Sequence, residues 1–141
     1  MDIQDKFNDI QASGNAGLFI TWKLANNILI ISGSGEMPDY DYDYNIGAVS
    51  TPWDSYSNAI TTIIIDSGVT NIEEWAFYGF NNLTSVSIPN SVTTIKNYAF
   101  AFCDSLTSVI IGNGVTYIGY DAFAGCIGLQ HIYLQRKNHS Q

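Results

Sequence analysis

Basic side chains are scarce in this sequence, and their scarcity limits the ligands that it can bind. The 141 residues include 5 Lys and Arg against 13 Asp and Glu, so the formal net charge is −8. The basic residues are scattered, at Lys6, Lys23, Lys96, Arg136 and Lys137. Because recognition of a phosphate backbone needs clustered basic residues, we predict no nucleic-acid partner.

Long apolar runs are also missing. No stretch approaches the roughly 20 consecutive apolar residues of a membrane-spanning helix, so we predict no membrane insertion. The N-terminus lacks the basic start and the apolar segment of a secretory signal. We therefore expect the chain to be either intracellular as written or a mature or truncated form that has received a start Met.

Signatures of catalysis are missing too. The sequence has no G-x-S-x-G elbow, phosphate-binding P-loop, H-E-x-x-H pair or dinucleotide-binding glycine pattern. Glu73 and Glu74 are adjacent, whereas glycoside hydrolysis needs carboxylates that face each other across a cleft. His131 and His139 lack a spaced cluster of Cys or carboxylates that would complete a metal site. We predict no enzyme activity, no cofactor and no metal ligands.

A 23-residue repeat dominates what the sequence does contain. Three segments align without a gap, at residues 60–82, 83–105 and 106–128, and a partial fourth copy covers 129–134. Each complete copy opens with an apolar pattern L-x-x-V-x-I, in which the first copy has Ile at both the Leu and the Val positions. Each copy continues with a second apolar pair and then has an Ala-Phe step. Residues typical of turns, mainly Gly, Asn, Ser and Pro, separate the first pattern from the second.

This pattern predicts short strands that stack in a ladder. β-Branched residues bounded by turn residues favour a strand, and strands at one fixed period form a parallel array of roughly 4.8 Å per coil. The second apolar pair, such as Val69 and Ile72, is too short for a helix and predicts another brief extended segment. We expect Phe77, Phe100 and Phe123 to form a stacked aromatic column in the interior.

These residues resemble the BspA-like leucine-rich-repeat family of cell-surface proteins. The stretch LTSVIIGNGVTYIGYDAFAGC, at residues 106–126, looks like the repeat of that family from end to end. The resemblance covers residues 60–134, and LFITWKLANNILIISGSG, at residues 18–35, looks like the hairpin that often precedes such repeats. The resemblance implies a mainly β repeat solenoid, a right-handed coil of short parallel strands preceded by an N-terminal β-hairpin cap. It also implies a location at the cell surface or in the secreted fraction.

The predicted organisation has four parts. Residues 1–16 form an N-terminal segment, in which Ile3, Phe7 and Ile10 have the spacing of one or two turns of amphipathic helix. Residues 17–59 form the hairpin and an acidic, Tyr-rich loop, which together cap the repeats at 60–134. Residues 135–141 form a polar tail.

Cys103 and Cys126 occupy equivalent positions in successive copies, because they are 23 residues apart. That separation places them within reach of a disulfide bond. A free cysteine, however, also packs as a small buried hydrophobic residue. We favour two reduced, inert thiols.

The loop at residues 39–45 alternates Asp and Tyr. Alternate carboxylates occur in calcium loops, but the positions at which an EF-hand needs Gly and Glu are Tyr44 and Ser50. Three interpretations are open: a looser oxygen-ligand site, a solvated acidic loop with tyrosines packed on a neighbouring surface, or a contact loop. In the third case Tyr40, Tyr42 and Tyr44 are the binding residues, since Tyr offers a rigid ring with a polar tip.

A second candidate surface is the outward face of the predicted sheet. Its eight side chains are Thr62, Ile64, Ser85, Ser87, Ser108, Ile110, His131 and Tyr133. They form either an ordinary solvated sheet face, selected for strand packing, or an extended binding surface of the kind that solenoids present.

A third candidate surface follows the second extended segment of each copy. Trp75, Tyr98 and Asp121 recur there at one position, flanked by Glu74, Asn97 and Tyr120. These aromatic rings can stack on a sugar or a partner protein, or they can cover the edge of the core. A few residues further along each copy, Phe102 stands where the other two copies have Gly79 and Gly125. Phe102 is either an exposed contact or a local packing variant.

We therefore predict a non-catalytic protein-interaction or adhesion module of a surface or secreted protein, with a protein or glycan as its ligand. The alternative is a structural module that self-associates as a homo-oligomer through its C-terminal repeat edge. The residues after Leu134 offer no apolar cap to cover that edge.

Overall fold

The computed structural model describes residues 10–135, and over that range the protein is built mainly of β-strands. Within residues 10–135 there is one short 3-10 turn, at Asp54–Tyr56. The strands, in chain order, are β1 Ala12–Asn15, β2 Ile20–Ala25, β3 Ile28–Gly35, β4 Tyr42–Asp43, β5 Ala48–Val49, β6 Thr62–Ile65, β7 Gly68–Val69, β8 Asn71–Ile72, β9 Ser85–Ile88, β10 Thr94–Ile95, β11 Ser108–Ile111, β12 Tyr117–Ile118 and β13 His131–Leu134. The predicted mainly β fold class is confirmed.

The N-terminal segment contains a strand that the sequence did not predict. The helical turns expected around residues 3–10 lie outside the described residues, apart from Ile10, which is in no helix. Residues 12–15 instead form β1, which pairs antiparallel with β2. The sequence analysis did not predict this strand, because its Ala, Ser, Gly and Asn residues have little strand propensity of their own.

The largest sheet joins the cap to the repeats without a break. Its order is β1-β2-β3-β6-β9-β11-β13. Strand β2 pairs antiparallel with both β1 and β3, and from β3 onward the pairing is parallel. Ser85 pairs with Ser108 and Ser108 pairs with His131, so the register between these strands is the 23-residue repeat itself.

Alternation along each strand positions the core on one side of this sheet. In β9 the side chains of Val86 and Ile88 are buried while Ser85 and Ser87 are exposed. This arrangement follows from the two-residue period of a strand, which sends successive side chains to opposite faces. The shorter strands β8, β10 and β12 form a second parallel sheet at the other side of each repeat.

The hairpin between β2 and β3 lies where it was predicted. Asn26 and Asn27 form its two-residue turn, with φ angles of 51° and 65°. Asn tolerates this left-handed backbone, which a two-residue turn between twisted strands requires. Gly33 of β3 has a φ of 109°, and a Cβ there would collide with the backbone oxygen of Phe19, so this position also requires glycine.

The predicted column of phenylalanines is confirmed, and a tryptophan of the cap extends it. The ring centroids of Phe77 and Phe100 are 5.2 Å apart, and those of Phe100 and Phe123 are 5.3 Å apart. Trp53 stacks on Phe77 at 5.8 Å, and its indole N–H donates to the carbonyl of Ala76 at 2.8 Å. The cap is therefore packed onto the first repeat through the same aromatic column that joins the repeats.

A buried polar network also joins the cap to the repeats. The side-chain oxygen of Asn71 accepts a hydrogen bond from the Met37 backbone N–H at 2.6 Å, and its amide donates to Glu73 at 2.8 Å. The Glu73 carboxylate lies 2.9 Å from the ammonium group of Lys96 in the next repeat. Three parts of the chain are thus linked by side chains, two of which, Asn71 and Glu73, are buried.

Both cysteines are free thiols, as predicted. The Cys103 thiol donates to the Phe77 carbonyl at 3.3 Å, and the Cys126 thiol donates to the Phe100 carbonyl at 3.0 Å. The neighbouring Cys126 sulfur and burial together raise the pKa of Cys103, so this thiol stays protonated and inert.

Candidate binding site

The acidic loop folds into a small hairpin at the surface of the first repeats. Its strands β4 and β5 pair antiparallel, with Tyr42 opposite Val49. The Asp43 carboxylate accepts the Asn45 backbone N–H at 2.8 Å, and the Asp41 N–H donates to the Ser50 hydroxyl oxygen at 2.8 Å. These local hydrogen bonds hold the hairpin closed, since Asp and Ser side chains readily satisfy the backbone of a turn.

The three tyrosines of this loop have different environments. Tyr40 is only 7% exposed, and its hydroxyl donates to the Ala16 carbonyl at 3.0 Å. Its ring packs edge-on against Trp53, with 5.8 Å between centroids. Tyr40 therefore anchors the loop to the core, which corrects its assignment as a contact residue, whereas Tyr42 is half-buried and Tyr44 is exposed.

The buried hydroxyl of Tyr40 should make the protein less stable in alkali. Burial, with a smaller contribution from the nearby charge of Glu73, raises the pKa of Tyr40 above its ordinary value of 10.0. Above pH 10 the unfolded chain loses this proton and the folded chain keeps it, so the free energy of unfolding falls by up to about 1.4 kcal/mol per pH unit from this group. We expect Tyr40→Phe to flatten that slope in urea denaturation between about pH 9 and pH 11.

Tyr120→Phe is the control for this pH dependence, because Tyr120 is 97% exposed. At pH 7 the Tyr40→Phe variant should lose about 1 kcal/mol with the hydrogen bond to Ala16. If the free energy of unfolding falls equally steeply above pH 10 in the wild type and the Tyr40→Phe variant, Tyr40 is not the source of the pH dependence.

Tyr42 and Tyr44 belong to a cluster of six aromatic side chains, here called the aromatic surface. Together they line a cleft of about 240 Å³: Tyr42, Tyr44, Trp75, Tyr78, Tyr98 and Phe102. The Trp75 ring stacks on Tyr98 at 4.6 Å with only 5° between the planes, and on Tyr42 at 4.9 Å. The loop and the Trp75–Tyr98 column, which the sequence analysis treated as two candidates, thus form one surface.

Three of these aromatic residues have left-handed backbone. The φ angles are 69° at Trp75, 62° at Tyr98 and 59° at Phe102. Such a conformation is uncommon for a bulky side chain and costs on the order of 1 kcal/mol or more at each position. Phe102 takes this conformation where the other repeats have Gly79 and Gly125, which are also at positive φ.

The space for Phe102 depends on the next repeat. A Cβ added at Gly125 would collide with the Phe102 ring, so a glycine there leaves room for the ring. Phe102 packs edge-on against Tyr78, with 5.6 Å between centroids. Of the two interpretations of Phe102, the exposed contact matches its 48% exposure.

Sequence reasoning missed Tyr78 as a member of this surface. Tyr78 aligns with Ala101 and Ala124 of the later repeats. A bulky residue at a position where the other copies have a small one was the available signal. The same signal had marked Phe102.

Carboxylates border the aromatic surface. The charge of Asp121 is the main cause that raises the pKa of Tyr98. Burial, a hydrogen bond from the Tyr98 hydroxyl to Asp121 and smaller effects that include the charge of Glu74 raise it further. Asp41 and Asp43 line an adjoining, wider cleft of about 640 Å³ that shares Tyr42 and Tyr44 with the aromatic surface. The electrostatic environment of these rings is therefore negative.

The eight predicted sheet-face residues lie on one face of the large sheet, in register. Ser108 pairs with Ser85 and with His131, and Ile110 pairs with Tyr133. Strand β3 extends this face with Ile28 beside Thr62, a contribution that the sequence analysis did not foresee. Nothing in this arrangement assigns the face a ligand, and its role as a binding surface stays a prediction.

The part of the chain that the structure describes shows neither a metal site nor a membrane-spanning helix. Over residues 10–135 no three or more His, Cys, Asp or Glu side chains come together in a group that could hold a metal ion. Within the same range, no helix has the length and apolar character to cross a bilayer. His139 lies outside the described residues.

Comparison with known proteins identifies similar repeats. Residues 54–140 match the model of the BspA type leucine rich repeat region, in six copies. A leucine rich cell surface protein from Faecalibacterium prausnitzii is 33% identical over 57% of this chain and 21% of its own, with a TM-score of 0.55. No curated protein shows significant similarity.

A second solved structure shows likeness of fold alone. A leucine-rich repeat protein from Eubacterium ventriosum is 23% identical over 88% of this chain and 44% of its own, with a TM-score of 0.55. The chain thus spans less than half the length of either structure.

Proposed function

Because the chain belongs to the BspA-type leucine-rich-repeat family, we propose that it is a non-catalytic interaction module, of the adhesion type, that binds its ligand at the aromatic surface. Its ligand is a protein or a glycan. The name of the Faecalibacterium prausnitzii relative, a leucine rich cell surface protein, supports a location at the cell surface or in the secreted fraction. The parallel 23-residue register supports a right-handed solenoid of repeats at 60–134, capped by residues 17–59.

The observation that carries the proposal is the stacking of three half-buried rings, two of which, Trp75 and Tyr98, have left-handed backbone. Trp75 and Tyr98 come from successive repeats and Tyr42 comes from the cap, yet their rings stack. Local strain that persists in a fold is concentrated at functional sites. Tyr42 and Trp75 pack against the core only in part, and the third repeat has Asp121 at the position of Trp75 and Tyr98, so a repeat does not need an aromatic ring there.

A rigid aromatic surface suits binding in physical terms. Tyr and Trp offer a large contact area with few rotatable bonds, so little conformational entropy is lost when a ligand orders them. Here the contacts between neighbouring rings already restrict the rotamers of each side chain. A sugar ring or a side chain of a partner protein can stack on such a surface.

Removal of rings from this surface should weaken binding about tenfold or more. We would measure the binding of immobilised glycans and extracellular proteins by the wild type, Tyr98→Asn and Tyr44→Ser. Asn suits position 98 because it tolerates left-handed backbone, and Tyr44 is 82% exposed, so its replacement leaves the core intact.

Tyr133→Ser is the matched control, since Tyr133 is an exposed tyrosine on the sheet face. Unchanged binding by Tyr98→Asn and Tyr44→Ser would refute the proposal. Loss of binding in Tyr133→Ser alone would move the site to the sheet face.

A second function is favoured by the exposure of apolar residues on β13. Ile132 and Leu134 are 48% and 60% exposed, whereas their equivalents Val109 and Ile111 are 0% and 2% exposed. An uncovered strand edge with apolar neighbours readily pairs with another chain. We therefore propose self-association through this edge as the alternative, which light scattering tests: the mass should rise with concentration, and Ile132→Glu should abolish the rise.

A further inference from the structure

The cleft of the aromatic surface has room for a single side chain rather than a large ligand. Its volume of about 240 Å³ is below the roughly 300 to 1,000 Å³ typical of sites for drug-sized molecules. All six lining residues are aromatic. The faces of such rings carry partial negative charge and attract cations that lie over them.

Carboxylates lie near two parts of this cleft, around Tyr98 and around the pair Tyr42 and Tyr44. Asp121 and Glu74 act on the Tyr98 hydroxyl, and Asp41 and Asp43 line the adjoining cleft. Acidic groups near an aromatic cleft favour a positively charged ligand and disfavour an anionic one.

The protein supplies little positive charge of its own to this region. The described residues contain ten carboxylates and two lysines, Lys23 and Lys96. Lys96 is already paired with Glu73 at 2.9 Å. Lys23 lies on β2, opposite Ile30 of the sheet, and is not a lining residue of either cleft.

Of the common cationic groups, guanidinium uses both features of the site. It is planar and stacks on aromatic rings, and its fixed fork of N–H donors binds carboxylates. An ammonium group can also approach ring faces, but it is more strongly hydrated and lacks the flat surface. Resting on the proposed function of the aromatic surface, we infer that its ligand is a protein segment that places an arginine side chain in the cleft lined by these rings.

Short peptides test the inference directly on the full chain. The probe is the synthetic peptide Gly-Ser-Arg-Ser-Gly, and its control has citrulline, a neutral isostere, in place of arginine. NMR of the tryptophan indole N–H groups serves as the readout, because Trp75 is half-exposed while Trp22 and Trp53 are buried. We expect the arginine peptide to shift the Trp75 resonance. The citrulline peptide should bind at least about tenfold more weakly.

Three further measurements distinguish a specific cation site from nonspecific attraction to an acidic protein. Binding of the arginine peptide should weaken several-fold when NaCl rises from about 50 to about 500 mM. The double variant Glu74→Gln/Asp121→Asn should also weaken it several-fold, whereas Asp104→Asn, an exposed carboxylate outside the cleft, should leave it unchanged. Tyr98→Asn should remove binding although it leaves every carboxylate in place.

The outcomes distinguish this inference from the proposed function. If a glycan or protein binds at the rings, but the citrulline peptide binds as tightly as the arginine peptide and the carboxylate variants bind as tightly as the wild type, the inference is wrong and the proposed function stands. If the arginine peptide shifts no resonance, or binds equally to the wild type and Tyr98→Asn, the inference is also wrong. If no ligand depends on the rings, both are wrong.

Discussion

Replacement of Phe100 by Ala is expected to lower the free energy of unfolding by about 3 to 5 kcal/mol. Phe100 is fully buried, and its ring packs between Phe77 and Phe123. The variant loses the transfer free energy of the ring and leaves a cavity that a stacked array cannot easily close. Domains of this size have a total stability on the order of 5 to 15 kcal/mol, so the loss is a large fraction of it.

Phe102→Ala is the matched control, two residues away in the same repeat. Its ring is half-exposed, and its packing partner Tyr78 is only partly buried. We expect a change of less than about 1 kcal/mol, since little apolar area leaves solvent contact on folding. Urea denaturation followed by circular dichroism measures both variants, and similar losses would show that the column is not the main source of stability.

Replacement of Asn71 by Ala is expected to cost about 2 to 4 kcal/mol. The substitution leaves the Met37 backbone N–H without its partner and removes a hydrogen bond to the charged Glu73. Unsatisfied buried groups cost about 1 to 3 kcal/mol each, and a bond to a charged group contributes about 1.5 to 3 kcal/mol. The effects overlap, so they do not add in full.

Hydrogen exchange identifies where the effect of Asn71→Ala arises. The Met37 amide should exchange faster than in the wild type, because it loses its acceptor and the cap separates more readily from the first repeat. Asn113→Ala, at an exposed asparagine, should change neither stability nor Met37 exchange. A stability loss without faster exchange at Met37 would mean that Asn71 does not hold the cap.

The repeats were predictable because each feature of one copy is present in the next. Val86 and Val109 are both buried, and both lie two residues before another buried residue of the same strand. The two-residue period of a strand decides which side chains face inward, and the constant 23-residue spacing decides which strands are neighbours. The aromatic column follows from the same periodicity.

The cap was less predictable because it contains no repeat. Tyr40, Tyr42 and Tyr44 have the same alternation in sequence, yet the first is buried, the second is half-buried and the third is exposed. Tyr40 is anchored by the Ala16 carbonyl, and Tyr42 packs on Trp75. Neither partner is at a spacing that any local pattern predicts.

The amino-acid sequence therefore determined the parallel strands, their register and the interior phenylalanines, because all of these depend on periodic positions that repeat along the chain. Tertiary packing decided three other features. It buried Tyr40, extended the column by Trp53, and joined the acidic loop with Trp75 and Tyr98 into one surface. Those contacts join segments that are distant in the chain and do not recur. The candidate binding site is of the second kind, which is why its residues first appeared as two unrelated patterns.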